Sequence, residues 1–258
     1  MPYRHATQDI DYTHYSSGRV LVNLPGQPAF PIRLASEVFQ RLIELRKKDG
    51  LSAPARLFDP CCGGAYHLTV LGLLHREQIA SITASDIELR ALDTARRNLA
   101  LLSSQGLRAR LAQIEAMQTE FGKSSHAEAL ESAKTLLEDV AMKEAAQPLP
   151  TRTFQANAFD AAALSAGLAG EVVDMVFSDL PYGLHSQWRG QASEQIDPVH
   201  GLLENLAQVL PTGALLALAT MKDSRPAHQA YAPVGRLKLG KRLVTFLRLG
   251  DLTPNLRE

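Results

Sequence analysis

Hydrophobic residues recur along the chain in two alternating patterns. Where they lie three or four residues apart they predict helices over 35–48, 66–74, 87–102, 161–168 and 199–210. Where short apolar or β-branched runs occur they predict strands over 55–58, 81–85, 151–155, 172–177, 214–219 and 242–249. Because strands and helices alternate with short joints, the chain is expected to form parallel βαβ units in an α/β fold with an open, doubly wound sheet.

Two segments interrupt this alternation. Residues 107–148 are rich in good helix formers and carry no strand signal. This helical pattern is interrupted only near 121–125, so it predicts an insertion of two helices. Residues 1–50 are predicted to form an N-terminal extension that combines a loop, a short strand at 20–22 and the helix at 35–48. No internal repeat is evident, so residues 1–258 are expected to form a single domain that contains both segments.

Composition narrows the class of protein. The formal net charge is +0, which excludes binding to nucleic acid through bulk positive charge but permits a local basic patch. No apolar run is long enough to cross a membrane, and the N-terminus lacks the order of a signal peptide. We therefore expect a cytoplasmic protein without a membrane partner, and a monomer.

Cysteine and histidine spacing does not suggest a metal. Cys61 and Cys62 are the two cysteines, and their adjacency is incompatible with a disulfide framework or with paired zinc ligands. His67, His75 and His185 are not at metal-ligand spacing either, so packing or surface roles are expected for them.

A small-residue turn follows the predicted strand at 55–58. Asp59 ends this strand, and the turn contains Cys61, Cys62, Gly63 and Gly64. Such residues let the backbone approach a ligand closely, but the Lys-Ser or Lys-Thr pair of a phosphate loop does not follow the last glycine. A carboxylate aimed into the turn would instead pair with the ammonium group of an amino acid.

A second acid, Asp86, ends the next strand about 20 residues after the glycines, where a carboxylate can accept hydrogen bonds from both ribose hydroxyls. For Asp59 and Asp86 alike, the alternative is a strand-end acid that caps the following helix. Together, a glycine turn, a ribose acid and the lack of phosphate-binding residues indicate a nucleoside that carries a charged amino acid. S-adenosylmethionine fits this description.

The most informative motif is Asp-Leu-Pro-Tyr-Gly at 179–183, after the strand at 172–177. The exocyclic amine of a nucleobase is a poor nucleophile because its lone pair is delocalised into the ring, so methyl transfer to it needs acceptors that draw its N–H bonds out of plane. Asp179 and the carbonyl of Leu180 can accept hydrogen bonds from its two N–H groups. Pro181 would stiffen the turn and Tyr182 would stack on an extruded base. We interpret Asp179, Pro181 and Tyr182 as catalytic candidates, with Asp179 also close to the cofactor. The alternative is a turn that only closes the strand.

These residues resemble the class I S-adenosylmethionine-dependent methyltransferases that modify amino groups of bases. More narrowly, the chain resembles the AviRa family of avilamycin-resistance ribosomal RNA methyltransferases. The similar stretches are YRHA at 3–6, PAFP at 28–31, DPCCG at 59–63, LTVLGLLHR at 68–76, NLALLS at 98–103 and DLPYG at 179–183. The similarity runs from the N-terminus to the last strand and includes the helical insertion.

This resemblance implies a Rossmann-like class I methyltransferase sheet and methylation of the N2 amine of a guanine in 23S, large-subunit ribosomal RNA. The RNA would be free or within an assembled subunit, and resistance to orthosomycins such as avilamycin would follow. Two positions depart from the usual motifs. The turn ends in Gly64-Ala65, where a further glycine is usual, and Asn157 stands where an acid often contacts the adenine amine; its amide oxygen can accept that bond.

Candidates for RNA contact lie elsewhere. Trp188 and Arg189 follow the Asp179 motif and would suit contact with a base, although a partly buried Trp is equally compatible. The stretch 222–248 is basic, and Lys238, Lys241 and Arg242 are its candidate phosphate ligands, with a solvated edge as the alternative.

Rival functions share these motifs. An amino-group methyltransferase for DNA adenine or for a protein glutamine is the enzymatic alternative, and a ribosomal RNA-binding domain that lacks catalysis is the other.

Overall fold

The structure, a computed structural model, describes residues 3–24, 28–180, 188, 190 and 197–250. Within these ranges the strands are β1 (Ala55–Asp59), β2 (Ile79–Asp86), β3 (Thr151–Gln155), β4 (Met175–Asp179), β5 (Leu215–Met221), β6 (Tyr231–Leu239) and β7 (Arg242–Leu249). The α-helices are α1 (Ile32–Lys48), α2 (Tyr66–Leu74), α3 (Leu89–Ala100), α4 (Ser104–Phe121), α5 (Ser124–Ala146), α6 (Ala161–Leu168) and α7 (Pro198–Val209). None of the helices in these ranges is long and apolar enough to cross a membrane.

The strands form one sheet in the order β3-β2-β1-β4-β5-β7-β6. Strands β1 to β5 pair in parallel, whereas β7 is antiparallel to both β5 and β6. The chain order reverses between β1 and β4, so the switch point of the sheet lies there. The carboxyl ends of β2, β1 and β4 consequently meet side by side at one edge.

Hydrophobic cores cover both faces of the sheet. Leu57 of β1 and Phe177 of β4 lie in the core shared with α1, α2 and α3, whereas Phe58 and Val176 lie in the core shared with α6 and α7. Successive strand residues point to opposite faces, so a strand covered on both sides is apolar throughout. This is why continuous apolar runs predicted the presence of the central strands. The bounds of one were wrong: the strand predicted over 172–177 is β4, which begins at Met175 and extends to Asp179, and Val172 is exposed.

The insertion forms a hairpin of the two helices α4 and α5. Ser103 caps α4 by accepting a hydrogen bond from the amide of Gly106 (3.1 Å), and Gly122 ends the helix at a φ of 60°. A Cβ at Gly106 would lie 2.0 Å from the carbonyl oxygen of Ala100, so the sharp entry into α4 requires glycine. The expected two-helix segment is therefore present, with a boundary three residues earlier than predicted.

Two expectations about strands were wrong. In the N-terminal extension, residues 20–22 form no strand; the described part of this segment contains only an isolated bridge between Ser17 and Leu21. Conversely, β6 was not predicted, because it is an edge strand whose pairing is irregular between Pro233 and Gly235 and whose side chains are mostly solvent-facing. The end of the sheet is therefore an antiparallel hairpin.

Candidate functional site

Three aspartates end neighbouring parallel strands. Asp59 is the last residue of β1, Asp86 of β2 and Asp179 of β4. Because these strands lie side by side next to the switch point, the three carboxylates occupy one edge of the sheet. The structure thus brings together the acids on which the sequence predictions depend.

The turn between β1 and α2 has an unusual backbone. Gly63 has a φ of 52° and Ala65 a φ of 51°, so two nearby residues adopt the left-handed region. A Cβ at Gly64 would lie 3.1 Å from Cγ2 of Thr94 and 3.4 Å from Cβ of Leu24, so the turn is closely packed. The Ala65 side chain is fully buried in the core beneath the turn, so its methyl group is accommodated although its φ of 51° is one that favours glycine.

Asp86 connects this turn to β2. Its Oδ2 accepts a hydrogen bond from the amide of Gly63 (2.8 Å), and its Oδ1 accepts one from the amide of Glu88 (2.9 Å). Burial raises the pKa of Asp86, although these two amide bonds oppose the shift. Each carboxylate oxygen has a further lone pair, so the predicted hydrogen bonds to ribose hydroxyls are compatible with this arrangement.

Asp59 lies in a buried polar cluster beneath the turn. Its Oδ1 accepts hydrogen bonds from the Ser178 hydroxyl (2.6 Å) and the Cys61 amide (2.9 Å). Its Oδ2 is buried without a hydrogen bond among the described residues and lies 3.4 Å from Nε2 of His67. Burial raises the pKa of Asp59 to about 8 and lowers the pKa of His67 to about 4, so at neutral pH both groups favour their uncharged forms.

Asp179 lines a pocket at the same edge. The other lining residues come from the turn and α2 (Gly64, Tyr66, His67) and from the N-terminal extension (Ser17, Val22, Asn23, Leu24, Pro28, Ala29, Phe30). Sequence reasoning did not predict this N-terminal wall, since the segment has neither a charged motif nor regular periodicity. Pro181 and Tyr182, predicted with Asp179 as catalytic, lie outside the described residues.

Asn157 and Trp188 lie close together beyond β3. The Asn157 side chain donates a hydrogen bond to the carbonyl of Gly190 (2.8 Å) and accepts one from the amide of Phe159 (3.0 Å). The Trp188 ring packs against Phe159 with 5.4 Å between ring centroids. Gly190 thus contacts Asn157, and Trp188 contacts Phe159, while Arg189, predicted to contact RNA, lies outside the described residues.

The basic stretch 222–248 does not form one patch. The turn between β6 and β7, with Lys241, lies at the same sheet edge as Asp179, since β5 ends there and Met221 pairs with Arg242. Lys238 is near this end of β6, and the Arg242 guanidinium lies 5.4 Å from the centroid of the Phe30 ring. Arg248 is at the opposite end, in an ion pair with Asp49.

The residues at this edge fit S-adenosylmethionine. Asp86 can accept from a ribose in addition to the two amides that it already binds. The buried Asp59 Oδ2, which has no hydrogen bond among the described residues, can accept one from an ammonium group, and the approach of that cation would favour the ionised form of the carboxyl. No cluster of His, Cys, Asp and Glu within the described ranges could hold a metal ion.

Sheet order and strand-end acids together define an S-adenosylmethionine-dependent methyltransferase of class I, as predicted. The family model described as "RRNA methyltransferase AviRa" matches residues 1–242, and the chain belongs to this family of ribosomal RNA methyltransferases. The resemblance seen in the sequence is thereby confirmed.

A curated protein and a solved structure, both from Streptomyces viridochromogenes, support this. A curated protein named 23S rRNA (guanine(2535)-N(1))-methyltransferase is 44% identical over 250 residues, which cover 97% of each chain. The solved structure of the rRNA methyltransferase AviRa at 1.5 Å is 42% identical, with a TM-score of 0.84 over 95% of this chain and 96% of that one.

Proposed function

We propose that this enzyme methylates the Watson–Crick edge of one guanine in large-subunit ribosomal RNA, with N1 as the acceptor atom. The observation that carries the proposal is the pocket at the carboxyl edge of the sheet, which is lined by both Asp179 and Gly64 of the glycine turn. The relative at 44% identity is named as a guanine-N1 methyltransferase of 23S rRNA, which supports N1. The N2 amine, implied by the earlier resemblance and by the Asp179 motif, is the second candidate acceptor.

The cofactor-binding residues follow from the geometry at this edge. Asp86 would hold the ribose hydroxyls, the turn formed by Cys61, Cys62, Gly63 and Gly64 would hold the methionine part, and Asp59 would face the ammonium group. Asn157 would contact the adenine amine. Bound S-adenosylmethionine supplies a methyl group on a sulfonium, which leaves as a neutral thioether. The protein contributes mainly by aligning the acceptor with that methyl group.

Asp179 would orient the base and take up its proton. In guanine, N1–H and one N2–H point in the same direction, so one carboxylate can accept from both. Methylation at N1 requires loss of the N1 proton, and a carboxylate that faces this atom is a suitable acceptor for it. Pro181 would fix the turn and Tyr182 would stack on the extruded base.

RNA would be bound mainly by local contacts, because the chain has no net charge. Lys238, Lys241 and Arg242 lie towards the same sheet edge as Asp179 and would contact phosphates there. Trp188, which packs against Phe159, would contact a base, and Arg189 is proposed as a further RNA ligand. Because its substrate would be ribosomal RNA, we propose that the enzyme works in the cytoplasm.

The proposal is tested by methyl transfer from labelled S-adenosylmethionine to purified 23S rRNA and isolated large subunits, and in parallel to DNA and to cell protein. Label in RNA that resists DNase and is lost with RNase supports an RNA methyltransferase, whereas label in DNA or in protein supports the rival enzymes. No label in any substrate supports a binding domain without catalysis. Liquid chromatography of the nucleosides against authentic standards, with mass detection, then separates 1-methylguanosine, the expected product, from its isomer N2-methylguanosine.

Resistance can be tested separately. We propose that the modification protects ribosomes from orthosomycins such as avilamycin, as the family resemblance implies. Cells that express the wild-type enzyme should grow at higher avilamycin concentrations than cells that express Asp179→Ala at the same level. Equal sensitivity would remove resistance from the proposed function and leave the methyl transfer intact.

A further inference from the structure

The N-terminal wall of the pocket is held by side chains rather than by a sheet. Residues 13–24 pair with no strand, yet Val20 and Leu21 are fully buried, so their backbone groups need partners. Arg110 of α4 donates to the carbonyls of Val20 (2.9 Å) and Arg19 (3.2 Å), and the Tyr66 hydroxyl donates to the carbonyl of Tyr15 (2.7 Å). The wall is therefore attached to helices at several points.

Asn98 makes the contact that joins this wall to the glycine turn. It lies on α3, on the same apolar side as Leu92 and Ala95, and is fully buried. Its Oδ1 accepts from the amide of Val22 (2.7 Å), while its Nδ2 donates to the carbonyls of Val22 (3.0 Å) and Gly64 (2.8 Å).

We infer that Asn98 is a positioning residue that clamps the N-terminal wall to the glycine turn and thereby sets the shape of the cofactor site. One amide side chain holds both backbone groups of Val22 and the carbonyl of Gly64, so the two sides of the pocket are fixed relative to each other. A Cβ built on Gly64 would lie 3.4 Å from the Cβ of Leu24, so Leu24 packs closely against the glycine turn. This packing depends on the separation that Asn98 sets between Val22 and Gly64. Loss of the clamp would separate the wall from the turn and weaken cofactor binding.

The inference rests on the proposed placement of S-adenosylmethionine at the glycine turn. Calorimetry with S-adenosylhomocysteine measures binding to each variant at a temperature well below its unfolding midpoint. Asn98→Ala should weaken binding about tenfold or more, because it leaves three backbone groups without a partner. Asn98→Asp should be no better, since it retains the acceptor for Val22 but directs an oxygen at two carbonyls.

A matched control is available on the other face of the sheet. Asn205 of α7 also bridges backbone groups, accepting from the amide of Ala161 (3.0 Å) and donating to the carbonyl of Gly201 (2.8 Å). Asn205→Ala should lower the unfolding midpoint but leave cofactor affinity within about twofold of wild type. A general loss of stability is thereby separated from a loss of positioning.

Hydrogen exchange provides a readout without cofactor or catalysis. In Asn98→Ala the amides of residues 17–24 should exchange about tenfold faster or more, with no such change in Asn205→Ala. Unchanged affinity together with unchanged exchange in Asn98→Ala would overturn the clamp. A second outcome would also overturn the inference: exchange becomes faster in Asn98→Ala while its affinity is unchanged, and a Gly64→Val variant also binds S-adenosylhomocysteine as wild type does. The proposed cofactor placement would then be wrong, and the clamp would have no role in binding.

Discussion

Replacing Asp59 by asparagine should make the protein progressively more stable, relative to wild type, as the pH rises. The Asp59 carboxyl is fully buried, and burial raises its pKa from 3.8 to about 8. In the unfolded chain the same carboxyl titrates near its ordinary value. Between these two pKa values the unfolded state loses its proton while the folded state keeps it, so stability falls as the pH rises.

The size of the effect follows from this window. Each pH unit between the unfolded and folded pKa values lowers the free energy of unfolding by about 1.4 kcal/mol. From about pH 5 to about pH 7.5 wild type should therefore lose about 3 kcal/mol through Asp59 alone. Asparagine has no proton to lose, so the stability difference between the variant and wild type should grow by this amount across the window.

Chemical denaturation at several pH values measures this difference directly. His67, whose folded pKa is lowered to about 4, is present in both proteins, so its titration in the unfolded state cancels in the difference. Ser178→Ala serves as a control, since it removes one hydrogen bond to Oδ1 and keeps the carboxyl. That variant should be less stable than wild type at every pH and should still lose stability as the pH rises.

A constant difference between Asp59→Asn and wild type from pH 5 to pH 7.5 would refute this reasoning. It would mean that the carboxyl is already ionised in the folded protein, with His67 or another group supplying the compensating charge. A difference that shrinks as the pH rises would reverse the sign of the effect and would require a folded pKa below the unfolded one.

Three further outcomes are expected. Asp86→Ala should weaken S-adenosylmethionine binding by about 1.5 to 3 kcal/mol in calorimetry, since it removes hydrogen bonds to a charged group; unchanged affinity would show that the ribose is held elsewhere. Asp179→Ala should abolish most methyl transfer with cofactor affinity nearly intact, and Asp179→Asn should retain more activity than Ala; a fully active Ala variant would remove Asp179 from catalysis. Lys238→Ala combined with Lys241→Ala should weaken RNA binding and flatten its salt dependence without changing cofactor affinity, whereas the same affinity and slope as wild type would indicate a solvated edge.

The central strands and the strand-end acids were predictable because both are local signals. A strand covered on two faces is continuously apolar, and an acid directly after such a run must lie at the ligand-binding edge of a parallel sheet. The strand β6 escaped prediction for the opposite reason: it has one partner, and its alternation is interrupted by Pro233 and Gly235.

The wall of the pocket could not be predicted from local patterns. Val20 and Val22 are typical strand residues, but their backbone hydrogen bonds go to Arg110 and Asn98, far along the chain. A buried asparagine on the apolar face of a helix was the available signal for Asn98, since such a side chain needs buried partners. Which partners it has depends on the tertiary fold.

The pairing of β1 with β4 has a consequence for how the chain folds. Arg56 and Asp174, which are 118 residues apart, flank this pair, and the Asp174 carboxylate accepts from the Arg56 amide (2.8 Å) and Nε (2.9 Å). Closing so long a loop carries an entropic penalty, whereas the α4–α5 and β6–β7 hairpins need only short loops. We expect pulse-labelled hydrogen exchange to show both hairpins protected before β1 and β4. Since Asp59 and Asp179 end those two strands, a nascent chain would gain its cofactor site only in the last steps of folding.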